Sequence, residues 1–186
     1  MARITPLKLE EAPAASRTEL ERQIAAHGRV TNMKSTLARS PVALAALMQW
    51  YALYEVVVPA LGARRTTLFV HAISNQTDCL ICSTFFRRWL VERGENPDQL
   101  VLDERDQTIV DFGRQLAIDA NRINNTLYAR LAAWLSPQQI VELTAFGGVM
   151  IATNVFNNAL QVELDDYLQP FRRPTASPGE TQEPCS

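Results

Sequence analysis

The chain has little excess charge, no long uninterrupted apolar run and few cysteines. Its 186 residues carry a formal net charge of −2, and because proteins that neutralise phosphates need basic surfaces, we expect no nucleic-acid partner. No uninterrupted apolar run reaches the roughly 18–20 residues of a membrane span, so we expect no membrane partner. Met1–Glu10 lacks the basic-then-apolar pattern of a signal peptide. Three cysteines are too few for a disulfide scaffold, and the expected location is therefore cytoplasmic.

Strand signals are also missing. No segment alternates apolar and polar residues, and no glycine-containing turn joins two such segments. Apolar residues instead recur at helical spacing, and Ser40-Pro41 and Ser136-Pro137 each place a good N-cap before a proline that suits the first helical position. The pattern predicts an all-α fold of seven to eight helices. We expect a single domain over residues 1–173, followed by a disordered tail over 174–186.

Three helical segments carry more specific expectations. Ser16 and Glu19 have the spacing of a capping box, which predicts a helix that begins there and ends at Gly28. The segment 42–58 is nearly all apolar and is expected to be buried on several sides. Gly147-Gly148 interrupts the last long helical pattern, which indicates either close helix packing or a kink.

The most informative stretch holds two of the three cysteines. Asp78 follows a polar break and is a good N-cap, so the pattern predicts a helix with Cys79 and Cys82 in its first turn. Residues three apart lie about 60° apart around a helix, so both sulfurs share one side. The positive dipole end of that turn favours thiolates.

Other interpretations of the cysteine pair are weaker or remain open. Zinc needs four ligands, and only His27, His71 and Cys185 remain to complete a site. Haem attachment requires a histidine where Ser83 stands, and a thioredoxin fold requires βαβ units. Two half-buried cysteines that act as small apolar residues are still possible.

An ordered set of motifs surrounds the pair. In chain order they are Gly28-Arg29-Val30-Thr31-Asn32-Met33, Arg65-Thr66-Thr67-Leu68-Phe69-Val70, Cys79-x-x-Cys82, Glu104-Arg105-Asp106, Leu135-Ser136-Pro137-Gln138-Gln139-Ile140-Val141-Glu142-Leu143 and Asn154-Val155-Phe156-Asn157-Asn158-Ala159-Leu160. Over about residues 15–170 the set resembles the carboxymuconolactone decarboxylase superfamily, on its alkyl hydroperoxidase D (AhpD-like) side.

That resemblance implies a fold, an activity and partners. The fold would be an AhpD-like multi-helix orthogonal bundle that assembles into homo-oligomers, either trimers or hexamers. The activity would be that of a thiol-dependent peroxidase or disulfide oxidoreductase, in which Cys82 attacks an organic hydroperoxide and Cys79 resolves the sulfenic acid. A dithiol reductant would regenerate the pair. We expect no cofactor and no metal.

The sequence departs from such relatives at two positions. A glutamate is usual twelve residues before the first cysteine, where this chain has Thr67, and a histidine is usual four residues after the second, where it has Phe86. The proton relay those groups form is therefore in question. His71 lies one helical turn after Thr67 and is a candidate replacement base, or else a hydrogen-bonded core or surface histidine.

Further residues and functions stay open at this level. Asn154, Asn157 and Asn158 share one helix side and either cap neighbouring helices or line the pocket. Six aromatic residues either pack in the core or form an apolar wall beside the thiols: Trp50, Tyr51, Tyr54, Phe85, Phe86 and Trp89. Two alternative functions are a decarboxylase-like enzyme acting on a small lactone acid, and a non-catalytic helical oligomer that serves as a redox or ligand-binding module.

Overall fold

A computed structural model describes residues 2–173, which form eight α-helices and three short 3-10 helices with no strand among them. The α-helices are α1 (Ala14–His27), α2 (Asn32–Leu37), α3 (Pro41–Leu61), α4 (Ala63–Gln76), α5 (Leu80–Val91), α6 (Glu104–Asp119), α7 (Asn125–Ala132) and α8 (Pro137–Leu160). The 3-10 helices are Leu9–Glu11, Ala120–Arg122 and Asp166–Phe171. The predicted all-α class is confirmed, and the predicted tail over 174–186 lies outside the described residues.

Capping residues mark most helix ends, as the sequence indicates. Ser136 accepts a hydrogen bond from the backbone N–H of Gln139, whose side chain in turn accepts one from the Ser136 N–H. Gly28 ends α1 with φ +74°, in the left-handed region that glycine tolerates best. The predicted start of α1 is wrong, because the helix begins directly after Pro13 and Ser16 lies buried inside it.

Helix α4 forms the centre of the bundle. It packs against α3, α5, α6 and α8, and every residue from 66 to 74 is buried. At its N-terminal end, Arg64 and Arg65 both pair with the buried carboxylate of Asp106 on α6, with Arg65 Nε 2.8 Å from Asp106 Oδ1. Buried charges need such partners, so these pairs fix the register of α4 on α6.

Helix α3 is more exposed than expected. Its buried residues are Leu44, Met48, Val57 and Leu61. Val42 is 80% exposed and Val56 is 45% exposed. The expectation of burial on several sides is therefore wrong for the single chain, in which the helix contacts its neighbours mainly along one face.

Two helices are long and apolar enough to cross a membrane by length and composition alone, namely α3 and α8. Polar residues such as Gln49 interrupt the apolar run of α3, as the sequence indicates, but they leave the average hydropathy of the helix high. In the structure α3 and α8 pack against each other and against α4. Core helices of helical bundles commonly have this composition.

The two adjacent glycines of α8 have different surroundings. A Cβ atom added to Gly147 would lie 3.0 Å from Leu116 Cδ1 and 3.0 Å from Phe69 Cζ, whereas one added to Gly148 would meet nothing within 4 Å. Close packing of α8 against α4 and α6 therefore accounts for Gly147, and nothing in the structure explains Gly148.

We predict that alanine has opposite effects at these two positions. Gly147→Ala is expected to lower the free energy of unfolding by about 1–3 kcal/mol, since both contacting side chains are confined within the bundle. Gly148→Ala is expected to raise it by up to about 1 kcal/mol through helix propensity alone. Urea unfolding of the two variants measures the difference, and equal stabilisation by both alanines would contradict the close contact.

Candidate functional site

The cysteine pair follows a sharp turn between α4 and α5. The Thr77 N–H donates to the Ile73 carbonyl at 3.0 Å and the Cys79 N–H donates to the Ser74 carbonyl at 3.0 Å, so α4 is tightly closed. Asp78 lies between them with φ +50°, a left-handed conformation that Asp tolerates better than most residues. The predicted N-cap role of Asp78 is therefore wrong, because this turn places Cys79 at the N-cap of α5.

Cys79 and Cys82 contact each other at the start of α5. Both thiols are free and buried, with Cys79 0% and Cys82 6% exposed. The neighbouring Cys82 thiol lowers the pKa of Cys79 to about 7, with a smaller contribution from the N–H groups at the start of α5, although burial opposes the shift.

The same contact has the opposite effect on the second thiol. The pKa of Cys82 is raised well above its usual value, first because its proton is held by Cys79 Sγ and second because burial disfavours the anion. Removing both protons would leave two anions side by side. The two thiols therefore ionise one after the other, and the pair loses its first proton more easily than its second.

Asn157 of α8 is the polar side chain that reaches both sulfurs. Its Nδ2 atom lies 3.3 Å from Cys82 Sγ, 3.9 Å from Cys79 Sγ and 3.6 Å from Met33 Sδ. Its Oδ1 atom is buried and has no hydrogen-bond partner. The amide lowers the pKa of both thiols as a hydrogen-bond donor.

The other two asparagines of this helix side hold the turn. Asn154 Nδ2 donates to the Thr77 hydroxyl at 2.8 Å, and Asn158 Nδ2 donates to the Thr77 carbonyl at 2.8 Å. Both roles that the sequence left open are thus found on one helix. Asn154 and Asn158 fix the end of α4, while Asn157 faces the thiols, a contact whose only sequence signal was the i, i+3, i+4 spacing.

A cleft of about 480 Å³ opens beside the turn. Its walls are formed by the residues that flank the thiols and by the end of α8: Thr77, Asp78, Leu80, Ile81, Asn157, Asn158, Gln161 and Val162. Neither cysteine lines this cleft, but Asn157 belongs to its wall and also contacts both sulfurs. A larger cleft of about 660 Å³ between α6 and α7 is lined by neither cysteine and not by Asn157.

Thr67 and Phe86, which stand where the relay residues were expected, have structural roles. The hydroxyl of Thr67 is buried and donates to the Ala63 carbonyl at 2.8 Å. Phe86 is buried against Trp50 and Trp89, at centroid distances of 6.3 and 5.6 Å. Neither side chain offers the thiols an acid or a base, and the surrounding aromatic rings pack mainly on one another and on Phe146.

His71 has different neighbours from the thiols. Asn75 Nδ2 lies 3.2 Å from its Nε2 and 3.3 Å from its Nδ1, and neither cysteine is among its hydrogen-bond partners in residues 2–173. Burial and, to a smaller extent, the positive charge of Arg87 lower the pKa of His71 to about 4. The structure brings Cys79 and Cys82 together, and it surrounds a neutral His71 with other groups.

Metal ligands do not gather at these side chains. Over the described part of the chain, no group of three or more His, Cys, Asp or Glu side chains could hold a metal ion. The other side chains beside the thiols are the carboxamide of Asn157 and the thioether of Met33. Both are poor ligands for zinc, which prefers thiolate, imidazole and carboxylate.

The buried imidazole of His71 predicts a loss of stability in acid. As the pH falls below 6.5 the unfolded chain binds a proton that the folded chain does not bind until about pH 4, so the folded state loses on the order of 3 kcal/mol across that interval. His71→Gln is expected to show a flatter dependence. Urea unfolding at pH 7, 6, 5 and 4 measures the difference between the two proteins, and parallel curves would contradict the shifted pKa.

Comparison with known proteins now shows the fold. No protein-family model matches the chain, and no curated protein matches it. Among solved structures, an alkylhydroperoxidase AhpD core, an uncharacterized peroxidase-related protein from Ralstonia eutropha JMP134, has a TM-score of 0.73 at 18% identity, covering 94% of this chain and 98% of that chain.

Two further structures agree. An uncharacterized peroxidase-related protein from Silicibacter sp. TM1040 has a TM-score of 0.73 at 17% identity, covering 90% of this chain and 96% of that one. The debrominase Bmp8 has a TM-score of 0.72 at 14% identity, with coverage of 90% and 95%. The chain therefore has the all-helical fold of AhpD-like peroxidase-related proteins, in agreement with the resemblance found in its sequence.

Proposed function

We propose that this protein is a thiol-dependent peroxidase, in which Cys82 and Cys79 cycle between dithiol and disulfide. One observation carries the proposal, namely that Cys79 and Cys82 lie together at the start of α5, with the Nδ2 atom of Asn157 3.9 and 3.3 Å from their sulfurs. Thiolates are the reactive form of cysteine, and a neighbouring thiol converts a sulfenic acid into a disulfide.

The pair supplies the base that the expected relay would otherwise provide. The Cys79 thiolate accepts the Cys82 proton through their hydrogen bond, which yields a Cys82 thiolate without a second negative charge. This exchange replaces the missing glutamate and histidine, since Thr67 and Phe86 offer no base. His71 supports the reaction less, because its lowered pKa makes it a weak proton acceptor.

Oxidation of the pair by the hydroperoxide needs no acid from outside the pair. The Cys82 thiolate attacks the terminal oxygen of the hydroperoxide, an S–O bond forms, the O–O bond breaks, and the leaving alkoxide takes the proton from Cys79. The Cys79 thiolate next attacks the Cys82 sulfenic acid, forming the S–S bond and releasing hydroxide. A dithiol reductant returns two electrons and two protons to the pair, one of which neutralises the hydroxide.

Access and assembly complete the proposal. Because Cys79 and Cys82 are almost fully buried, the hydroperoxide and the reductant reach them through the cleft at Asn157 after its walls open. The exposed apolar residues of α3, such as Val42 and Val56, support the expected assembly into a trimer or hexamer.

We predict distinct products for the two cysteine variants, each made in a Cys185→Ser background so that the pair is the only thiol source. The parent protein is expected to consume one equivalent of cumene hydroperoxide and form a Cys79–Cys82 disulfide. Cys79→Ser is expected to accumulate a sulfenic acid on Cys82 that dimedone traps, while Cys82→Ser consumes peroxide at least about a hundredfold more slowly. Mass spectrometry of the alkylated proteins identifies each product.

The same variants separate the alternatives. Unchanged peroxide consumption by Cys82→Ser would refute the proposal. A decarboxylase-like enzyme would remove the absorbance of a muconolactone substrate even in the Cys-free protein. A non-catalytic redox module would form the disulfide once but show no turnover when a dithiol reductant is supplied.

A further inference from the structure

Among residues 2–173, Asn157 hydrogen-bonds to the two thiols, whereas no acidic or basic side chain does so. Its Nδ2 atom lies within hydrogen-bonding distance of both thiol sulfurs, and the side chain is 2% exposed. It also forms part of the cleft wall. The position that faces the pair therefore holds a neutral amide, which donates hydrogen bonds and does not titrate.

We propose that Asn157 is a catalytic residue of the dithiol, whose N–H stabilises the Cys82 thiolate as it attacks and whose free oxygen accepts the hydroperoxide O–H. This inference rests on the proposed peroxidase function and deepens it.

The donors available to each sulfur support stabilisation of the Cys82 thiolate by Asn157. Cys79 stands at the N-cap of α5, where the positive end of the helix favours an anion. When the proton moves to Cys79, the new anion on Cys82 has two donors, the thiol of Cys79 and the amide of Asn157 at 3.3 Å. A hydrogen bond that strengthens as charge develops lowers the barrier to the reaction.

The amide orientation supports this assignment. Asn157 Nδ2 carries two N–H groups, and the three acceptors around it are all sulfur atoms, including the weakly accepting thioether of Met33 at 3.6 Å. Neutral sulfur is a poor acceptor, so these hydrogen bonds are weak at a protonated sulfur. They become stronger at a sulfur that carries a negative charge.

The oxygen of Asn157 has no partner, which supports its role in binding the hydroperoxide. Asn157 Oδ1 is buried with no hydrogen-bond partner, and native proteins rarely leave such an acceptor unsatisfied. A hydroperoxide that enters by the cleft carries one O–H donor. Accepting that hydrogen bond would hold the substrate beside Cys82, and the S–O and O–O bond changes described above proceed unaltered.

The test compares Asn157→Ala with Thr153→Ala, a change at a buried polar residue one turn earlier on α8 whose hydroxyl donates to the Val149 carbonyl of the same helix. Thiolate ultraviolet absorbance against pH gives the midpoint of the first thiol ionisation without requiring access to the thiols. Stopped-flow oxidation by tert-butyl hydroperoxide, at a pH above each midpoint, gives the rate constant of the thiolate form.

Asn157→Ala is expected to raise the ionisation midpoint by about one pH unit, since a donor to the thiolate is lost, and to slow oxidation about tenfold. Asn157→Asp, which keeps the shape of the side chain, is expected to raise the midpoint further because a carboxylate joins Asp78 near the thiols. Thr153→Ala is expected to keep the wild-type midpoint and rate constant.

The outcomes distinguish the two proposals. A wild-type protein that does not react with the hydroperoxide would overturn the peroxidase function and with it the catalytic role of Asn157. A reactive wild-type protein whose Asn157→Ala and Asn157→Asp variants match it in midpoint and rate constant would overturn the role of Asn157 alone. Equal shifts in Asn157→Ala and Thr153→Ala would overturn it too, since they indicate a general effect of loosening α8.

Discussion

The left-handed turn at Asp78 is the constraint on which the site depends. A non-glycine residue in this conformation carries a cost of roughly 1–2 kcal/mol that surrounding structure must offset. Here the offset comes from α8, where Asn154 and Asn158 hold both the hydroxyl and the carbonyl of Thr77. Because the turn is held this way, Cys79 occupies the N-cap position instead of the first helical turn, and its sulfur lies at the positive end of α5.

Burial and hydrogen bonding act in opposite directions on the two thiols, and their balance makes the pair reactive. A buried thiol in apolar surroundings resists ionisation. At Cys79 the neighbouring Cys82 thiol lowers the pKa despite burial, whereas at Cys82 the neighbouring thiol and burial both raise it. In the proposed reaction, base and nucleophile then lie on adjacent sulfurs, which accounts for a site without an acid or a base at Thr67 and Phe86.

The sequence was sufficient for the helices and the cysteine pair because both depend on local patterns, such as the capping box at Ser136 and the spacing of Cys79 and Cys82. It was insufficient where distant contacts decide. The conformation of Asp78 depends on asparagines about 77 residues away along the chain. The difference between Gly147 and Gly148 depends on which one faces Phe69, which no local propensity encodes.

The fold alone leaves the chemistry open, since structures with this architecture at 14–18% identity are described both as peroxidase-related proteins and as a debrominase. What distinguishes this chain is the group that faces its sulfurs. A glutamate and histidine relay would add ionisations of its own in the acidic to neutral range, whereas the amide of Asn157 has no proton to gain or lose there. The pH range in which the thiols react is then set by the sulfurs themselves, and the amide acts by orienting its dipole toward the charge they share.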